Sequence, residues 1–265
     1  MANAITTLTF RERKRSGEKI TMVTAYDYPT AQLLDASVVD AVLVGDSLGM
    51  VVMGLPDTLG VTLDVMVHYT RIVSRGITRP MLIADMPFLS YQISPEEALR
   101  NAGRLVAEGG ANAVKLEGPA EKFGGAIRMI LNAGIPVMGH IGLTPQSVNA
   151  FGGYKVQGRD PSSRERLKQE AKGLEDAGCF SIVLECVPAD LAAGITASVS
   201  IPTIGIGAGG GCDGQVLVFH DMLGWGKARF CKTFADARQA MADGVAAFVS
   251  EVKAGVFPAE EHTYK

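Results

Sequence analysis

LVGDSLGM, residues 43–50, is an apolar run that stops at an acid and a hydroxyl set between two glycines. Leu43 and Val44 suit a buried strand whereas Asp46 and Ser47 do not, so the change of character marks a strand running out into a loop. The same form recurs along the chain. TMVTAY (21–26), AVLVGD (41–46), MLIADM (81–86), AVKLEG (113–118), VMGHIG (137–142), SIVLEC (181–186), TIGIGA (203–208) and QVLVFHD (215–221) alternate with longer amphipathic or alanine-rich stretches. One of these, SPEEALRNAGRLVAEGG, opens with Ser94 as a cap, Pro95 at the first helical position and Glu97 three residues after the cap, and it closes on glycine. RERLKQEAKGLEDAG and DARQAMADGVAAFVSEVKAG read as helices in the same way. Strands in that number with helices between them predict an α/β fold of the (β/α)8 TIM-barrel type rather than a doubly wound sheet. No repeat, low-complexity tract or linker interrupts the pattern, so residues 1–265 read as a single domain.

Composition agrees with one well-filled core: 265 residues are 47% hydrophobic and 20% charged. A formal net charge of −3 provides no broad basic field for nucleic acid or a membrane surface, which points to a small-molecule ligand. Cys179, Cys186, Cys212 and Cys231 lack CxxC spacing, which argues against a zinc site and suggests reduced thiols in a cytoplasmic protein. MANAITTLTFRERKRSGEK has no apolar signal core, and no apolar run approaches the roughly 20 residues of a membrane-spanning helix. The basic run Arg11–Arg15 reads as a solvated helix face.

In a TIM barrel the chemistry gathers at the carboxyl ends of the strands. Asp46 and Ser47 end the second strand, Asp85 the third, Lys115 and Glu117 sit on the fourth, His140 on the fifth and Glu185 on the sixth. Any one such acid could simply cap the next helix. Acids at four strand ends together favour a site. Asp46, Asp85 and Glu117 on neighbouring strands would repel one another unless a cation lay among them, and all-oxygen ligands that leave room for water and substrate suit Mg²⁺ better than a calcium cage. Zinc would call for histidine or cysteine. Among the histidines, His68 and His262 lie off the rim, His220 falls in a loop or at a strand end, and His140 reads as pocket lining rather than a ligand. The glycine-rich IGIGAGGGCDGQ (204–215) admits a rival reading as a phosphate loop, but Asp213 would repel phosphate, the stretch has no lysine or arginine, and glycine also serves tight turns. FGGYKVQGRDPSS (151–163) reads either as a mobile lid or as a solvated loop.

TAYDY, VLVGDSLGM, ADMPF, VKLEG, GHIGLTPQ, FGGYKVQGR, LECVP and IGIGAG followed by DGQVLV occur in order, and with the C-terminal FPAEEHTY they resemble the ketopantoate hydroxymethyltransferase family from about residue 20 onward. The resemblance implies a (β/α)8 barrel that transfers a one-carbon unit from 5,10-methylenetetrahydrofolate to 3-methyl-2-oxobutanoate, giving 2-dehydropantoate in pantothenate biosynthesis. It carries metal ligation onto Asp46, Asp85 and Glu117, keto-acid contacts onto Asp46, Ser47, Asp85 and Lys115, and the proton acceptor onto Glu185. It also implies a large homo-oligomer, decameric in members of the family. Two positions depart from the family pattern: Gly60, where proline is usual, and Phe180, where a small residue is usual. Neither touches the expected site.

The resulting expectation is a Mg²⁺-assisted enolisation: the 2-oxo acid chelates the metal, Glu185 takes the C3 proton, Lys115 compensates charge, and Ser47 holds the carboxylate. The closest alternative is a Mg²⁺-dependent carbon–carbon lyase or mutase acting on a 2-oxo acid on a similar barrel, without folate. A noncatalytic binding barrel is disfavoured, because ionisable groups clustered at the catalytic face are costly without a ligand.

Overall fold

In the computed structural model, residues 4–226 and 228–264 are described. The chain divides into two compact units, Met1–Val218 and Phe219–Lys265. The first is a closed barrel of parallel strands in sequence order: β1 (Ile20–Thr24), β2 (Ala41–Val44), β3 (Met81–Asp85), β4 (Ala113–Glu117), β5 (Val137–Gly142), β6 (Ser181–Glu185), β7 (Thr203–Ile206) and β8 (Gly214–Leu217). β8 pairs back onto β1, which closes the cylinder. The helices are α1 (Thr7–Ser16), α2 (Tyr28–Ala36), α3 (Leu48–Val51), α4 (Leu63–Ser74), α5 (Pro95–Ala107), α6 (Ala120–Asn132), α7 (Val148–Phe151), α8 (Pro161–Asp176), α9 (Ala189–Ser198) and α10 (Ala237–Ala254), the last belonging to the second unit. The TIM-barrel expectation is met, with strand limits within a few residues of those read from the apolar runs. Helix signals also hold: Ser94 Oγ accepts from Glu97 N at 3.2 Å, Asp160 caps α8, and Gly255 ends α10 in the left-handed region. No helix among the described residues is long and apolar enough to cross a membrane.

Two-residue periodicity explains how one barrel holds both a core and a site. Met81 and Ile83 on β3, Ala113 on β4, Met138 on β5 and Val183 on β6 belong to one buried apolar cluster. Two residues further along the same faces stand Asp85, Lys115, His140 and Glu185, with Glu117 two beyond Lys115. The interior is therefore apolar below and ionisable at the carboxyl end.

The opposite end is sealed by α1. Phe10 is fully buried and packs edge-on against Phe180, ring centroids 5.5 Å apart, so the unusual phenylalanine has a partner on the barrel floor. The basic run is only in part the solvated face expected. Arg13 pairs with the buried Asp40 at 2.5 Å and Lys14 with the partly buried Asp213 at 2.7 Å, so α1 supplies the cations that these carboxylates need.

Between β7 and β8 there is no helix, contrary to the regular alternation expected. The glycine-rich loop fills that place. A Cβ at Gly209, whose φ is +78°, would lie 2.5 Å from Ala189 Cβ, and one at Gly211 would lie 2.7 Å from Ala193 Cβ, so these glycines let the loop lie against α9. Asp213 is occupied by Lys14 and by the Thr203 backbone N–H at 2.8 Å. Close packing accounts for the loop without a phosphate. Gly209→Ala is expected to lower the unfolding free energy by about 1–3 kcal/mol, the scale of left-handed strain plus overpacking. Gly210→Ala, which has nothing within 4 Å of its Cβ, is expected to be nearly neutral. Urea denaturation of the two variants checks the contrast.

Candidate active site

Strand register creates the site. Cα pairing sets Asp85 beside Lys115, Glu117 beside His140, and Gly142 beside Glu185. Lys115 Nζ lies 2.6 Å from Asp85 Oδ1. His140 stands between two acids, Nδ1 3.5 Å from Glu117 Oε1 and Nε2 3.3 Å from Glu185 Oε2. Asp46, just past β2, joins through its backbone N–H, which donates to Asp85 Oδ2 at 3.1 Å. Asp46, Asp85, Lys115, Glu117 and His140 are all buried, and Glu185 is slightly more open, its side chain 16% exposed. Gly142 is left-handed at φ +96°, and a Cβ there would overlap the Glu185 carbonyl, so only glycine lets β5 approach the end of β6 this closely.

Burial and charge act in opposition throughout this cluster. Burial pushes the Asp46 carboxyl well above the usual carboxylate range, and the Asp85 and Glu117 charges push it further, against the Lys115 ammonium and a hydrogen bond from Gln146. Asp85 is raised by burial despite its ion pair with Lys115. Glu117 is also disfavoured by burial, yet the contact with His140, followed by Lys115 and the Gln146 N–H, lowers it overall. Burial disfavours the Lys115 ammonium, but Asp85, Glu117 and Asp46 raise it above the ordinary lysine value. For His140, burial and the nearby Lys115 oppose protonation, and the two glutamates overcome them, raising the imidazole to about 9.

The sequence-derived residues thus converge on one barrel mouth. Ser47 joins them less directly: its Oγ is 2.8 Å from Tyr26 OH, and burial raises the Tyr26 phenol above its ordinary value. His140 lines the interior, with both ring nitrogens directed at acids. His68 lies on α4, away from the strand ends, and His262 belongs to the second unit. Sequence reasoning missed Gln146, in the 3-10 turn Pro145–Ser147 after β5. It is 6% exposed, and its Nε2 donates to Asp46 Oδ2 at 2.9 Å while its backbone N donates to Glu117 Oε2 at 3.0 Å. The available signal was a glutamine six residues beyond His140 in GHIGLTPQ. In the 151–163 segment, Gln157 N donates to Cys186 O at 2.9 Å, and the Tyr154 hydroxyl reaches Met50 Sδ at 3.7 Å. These contacts tie the segment to the end of β6 and to α3.

The raised imidazole makes stability depend on pH. A folded-state value of about 9 against the usual 6.5 means that the contribution of His140 is complete below pH 6.5 and is lost as pH rises through 9. Urea titrations of the metal-free protein from about pH 6 to 10 are expected to show unfolding free energy falling by about 3 kcal/mol across that window. His140→Gln is expected to flatten the profile, and an unchanged slope in that variant contradicts the assignment.

The model of the ketopantoate hydroxymethyltransferase family matches residues 4–260. The chain is 57% identical to the 3-methyl-2-oxobutanoate hydroxymethyltransferase of Clostridium novyi (strain NT), with 100% of this chain and 96% of that one aligned. Against the enzyme of the same name from Syntrophus aciditrophicus (strain SB), identity is 55% over 98% of this chain and 96% of the relative. Among solved structures, phosphonopyruvate hydrolase in complex with oxalate and Mg²⁺ superposes with a TM-score of 0.65 at 14% identity, covering 98% of this chain and 91% of that one. 2,3-Dimethylmalate lyase, a member of the PEP mutase/isocitrate lyase superfamily, gives a TM-score of 0.63 at 17% identity over 100% and 92% of the two chains. These distant structures share the fold. The full-length match to the family model and the high identity to its named members establish that this chain belongs to the ketopantoate hydroxymethyltransferase family.

Proposed function

We propose that the chain transfers a hydroxymethyl unit to 3-methyl-2-oxobutanoate, with 5,10-methylenetetrahydrofolate as the one-carbon donor and 2-dehydropantoate as the product, in the cytoplasmic synthesis of pantothenate. The observation that carries this reading is the meeting of Asp46, Asp85, Lys115, Glu117, His140 and Glu185 at one barrel mouth in a chain alignable end to end with enzymes of that name.

Among the described residues no three metal-ligating side chains form a ready-made cluster, and the support for Mg²⁺ is the all-oxygen chemistry of the acids at the barrel mouth. Four carboxylates (Asp46, Asp85, Glu117 and Glu185) outnumber the two basic side chains Lys115 and His140, an excess of acid over base that a divalent cation would offset. The burial that raises Asp46 and Asp85 is the state a bound cation relieves, and their oxygens suit a hard ion. We assign the metal to Asp46, Asp85 and Glu117. When bound, Mg²⁺ supplies Lewis-acid polarisation of the keto acid.

The protein side chains then divide the work. Glu185, the most open of the acids, removes the proton from C3 of the keto acid. Lys115 offsets the negative charge that develops as C3 loses its proton, and Asp85 keeps the ammonium directed inward. Ser47 donates to the substrate carboxylate, with its hydroxyl oriented by Tyr26. His140 forms the wall of the pocket and orients Glu185 from 3.3 Å. The C3 carbon so activated forms its bond to the one-carbon unit as that unit's two bonds to the folate nitrogens are broken, water supplying the hydroxyl oxygen and tetrahydrofolate leaving, which fixes the order of events: deprotonation needs no folate, and bond formation does.

We also propose a homo-oligomer, decameric as the family resemblance implies. Support comes from the second unit, where Met241, Val245, Phe248 and Val252 form an exposed apolar stripe on α10. Side chains of this kind at helical spacing are characteristic of a face that a partner covers.

Proton exchange tests the chemistry. In D₂O with Mg²⁺, the C3 hydrogen of 3-methyl-2-oxobutanoate is expected to exchange without folate, and adding methylenetetrahydrofolate is expected to yield 2-dehydropantoate with one folate consumed per turnover. Both are followed by NMR and product mass. Exchange without folate-dependent product would overturn the transferase assignment in favour of a lyase or mutase. Glu185→Gln is expected to bind the keto acid while losing exchange by roughly 10²-fold or more, the scale of general-base loss. Normal exchange in that variant moves the base elsewhere.

A further inference from the structure

Gln146 saturates its amide in a way that ordinary packing does not require. Nε2 donates to Asp46 Oδ2 at 2.9 Å and to the Met86 carbonyl at 2.9 Å. Oε1 is 2.8 Å from the Tyr91 hydroxyl and accepts from Gln92 Nε2 at 3.2 Å. The backbone N–H donates to Glu117 Oε2 at 3.0 Å. A carbonyl can only accept, so Met86 forces the amide nitrogen to its side of the side chain, and the reversed amide would set oxygen against both Met86 O and Asp46. The orientation is thus dictated by the surroundings.

One residue therefore grips two of the acids assigned to the metal, each by a single oxygen, and leaves Asp46 Oδ1 and Glu117 Oε1 outside its grasp. Its neutrality matters. A lysine or arginine there would cancel the negative charge that a divalent cation needs, as Lys115 does in part for Asp85, and a carboxylate would add repulsion. An amide supplies N–H donors with no net charge. The side-chain amide orients Asp46, and the main-chain N–H of the same residue orients Glu117, without competing for them.

We propose that Gln146 is a positioning residue for the divalent cation, holding Asp46 and Glu117 in a fixed mutual orientation before the ion arrives. The proposal rests on the reading of Asp46 and Glu117 as metal ligands. Groups that hold metal ligands from behind act through ligand geometry, and their loss typically weakens metal affinity by 10- to 100-fold.

The test is Mn²⁺ binding to the full-length protein without substrate, read from the electron paramagnetic resonance signal of free Mn²⁺, with thermal unfolding measured in parallel. Gln146→Leu removes every side-chain hydrogen bond at similar size. Gln146→Asn keeps an amide and the backbone N–H to Glu117 but withdraws the amide by about one carbon–carbon bond, roughly 1.5 Å, which keeps the test open if the leucine variant does not fold. Both are expected to bind Mn²⁺ about 10- to 100-fold more weakly than the unaltered protein. A lowered melting temperature with unchanged Mn²⁺ affinity would show a purely structural role and overturn the proposal. Failure of the unaltered protein to bind Mn²⁺ would instead overturn the metal reading itself, and this proposal with it.

Discussion

Lys115 and Asp85 form an ion pair 2.6 Å long in the buried end of the barrel, and the arrangement of the site follows from the need to keep charge there. Desolvation opposes every ionised group at this depth, and one pair alone would be a liability rather than a gain. The cluster remains viable because each charge has a neighbour of use to it: Asp85 has Lys115, Glu117 has His140, and Asp46 has the amide of Gln146. Asp46 is the least well compensated, with burial and two neighbouring carboxylates all acting against its ionisation. An excess of acid over base held in place by neutral and cationic donors is the feature on which the proposed divalent-ion site rests.

The barrel supplies the rigidity this requires. Parallel register brings the ion-paired residues side by side, and the two-residue period stacks them on an apolar interior of Met81, Ile83, Ala113, Met138 and Val183. Below that interior, α1 closes the floor with Phe10 and spends two of its basic residues on Asp40 and Asp213. Stability is concentrated at one end and reactivity at the other, which is the division expected of this fold. The pairing of Tyr26 with Ser47 extends the same logic, holding the hydroxyl next to Asp46 in one direction.

Much of this was legible in the chain because strands announce themselves by apolar runs and the residue that breaks the run stands at the mouth. Asp46, Asp85, Lys115, Glu117, His140 and Glu185 are all visible in that way, and they come together in space. The family resemblance added roles that strand ends alone could not distribute among them. Gln146 escaped because its importance is entirely through space: it sits in a turn, is uncharged, and gains meaning only when the closed barrel brings the residues that end β2 and β4 to the turn after β5. The glycine-rich loop was ambiguous for a related reason. Glycine signals the need for room, and only the folded chain shows that Ala189 and Ala193 of α9 occupy it. The basic run of α1 looked solvated because its acidic partners lie far along the sequence.

A crystal structure with Mg²⁺ and 3-methyl-2-oxobutanoate bears most directly on the central claim that this ring of charges is built for a metal and a 2-oxo acid. The account predicts the cation on carboxylate oxygens from the Asp46, Asp85 and Glu117 group, the substrate carboxylate near Ser47, Lys115 close to the keto oxygen, and C3 directed at Glu185. A cation bound away from those acids, or a keto acid seated with C3 turned from Glu185, would contradict it.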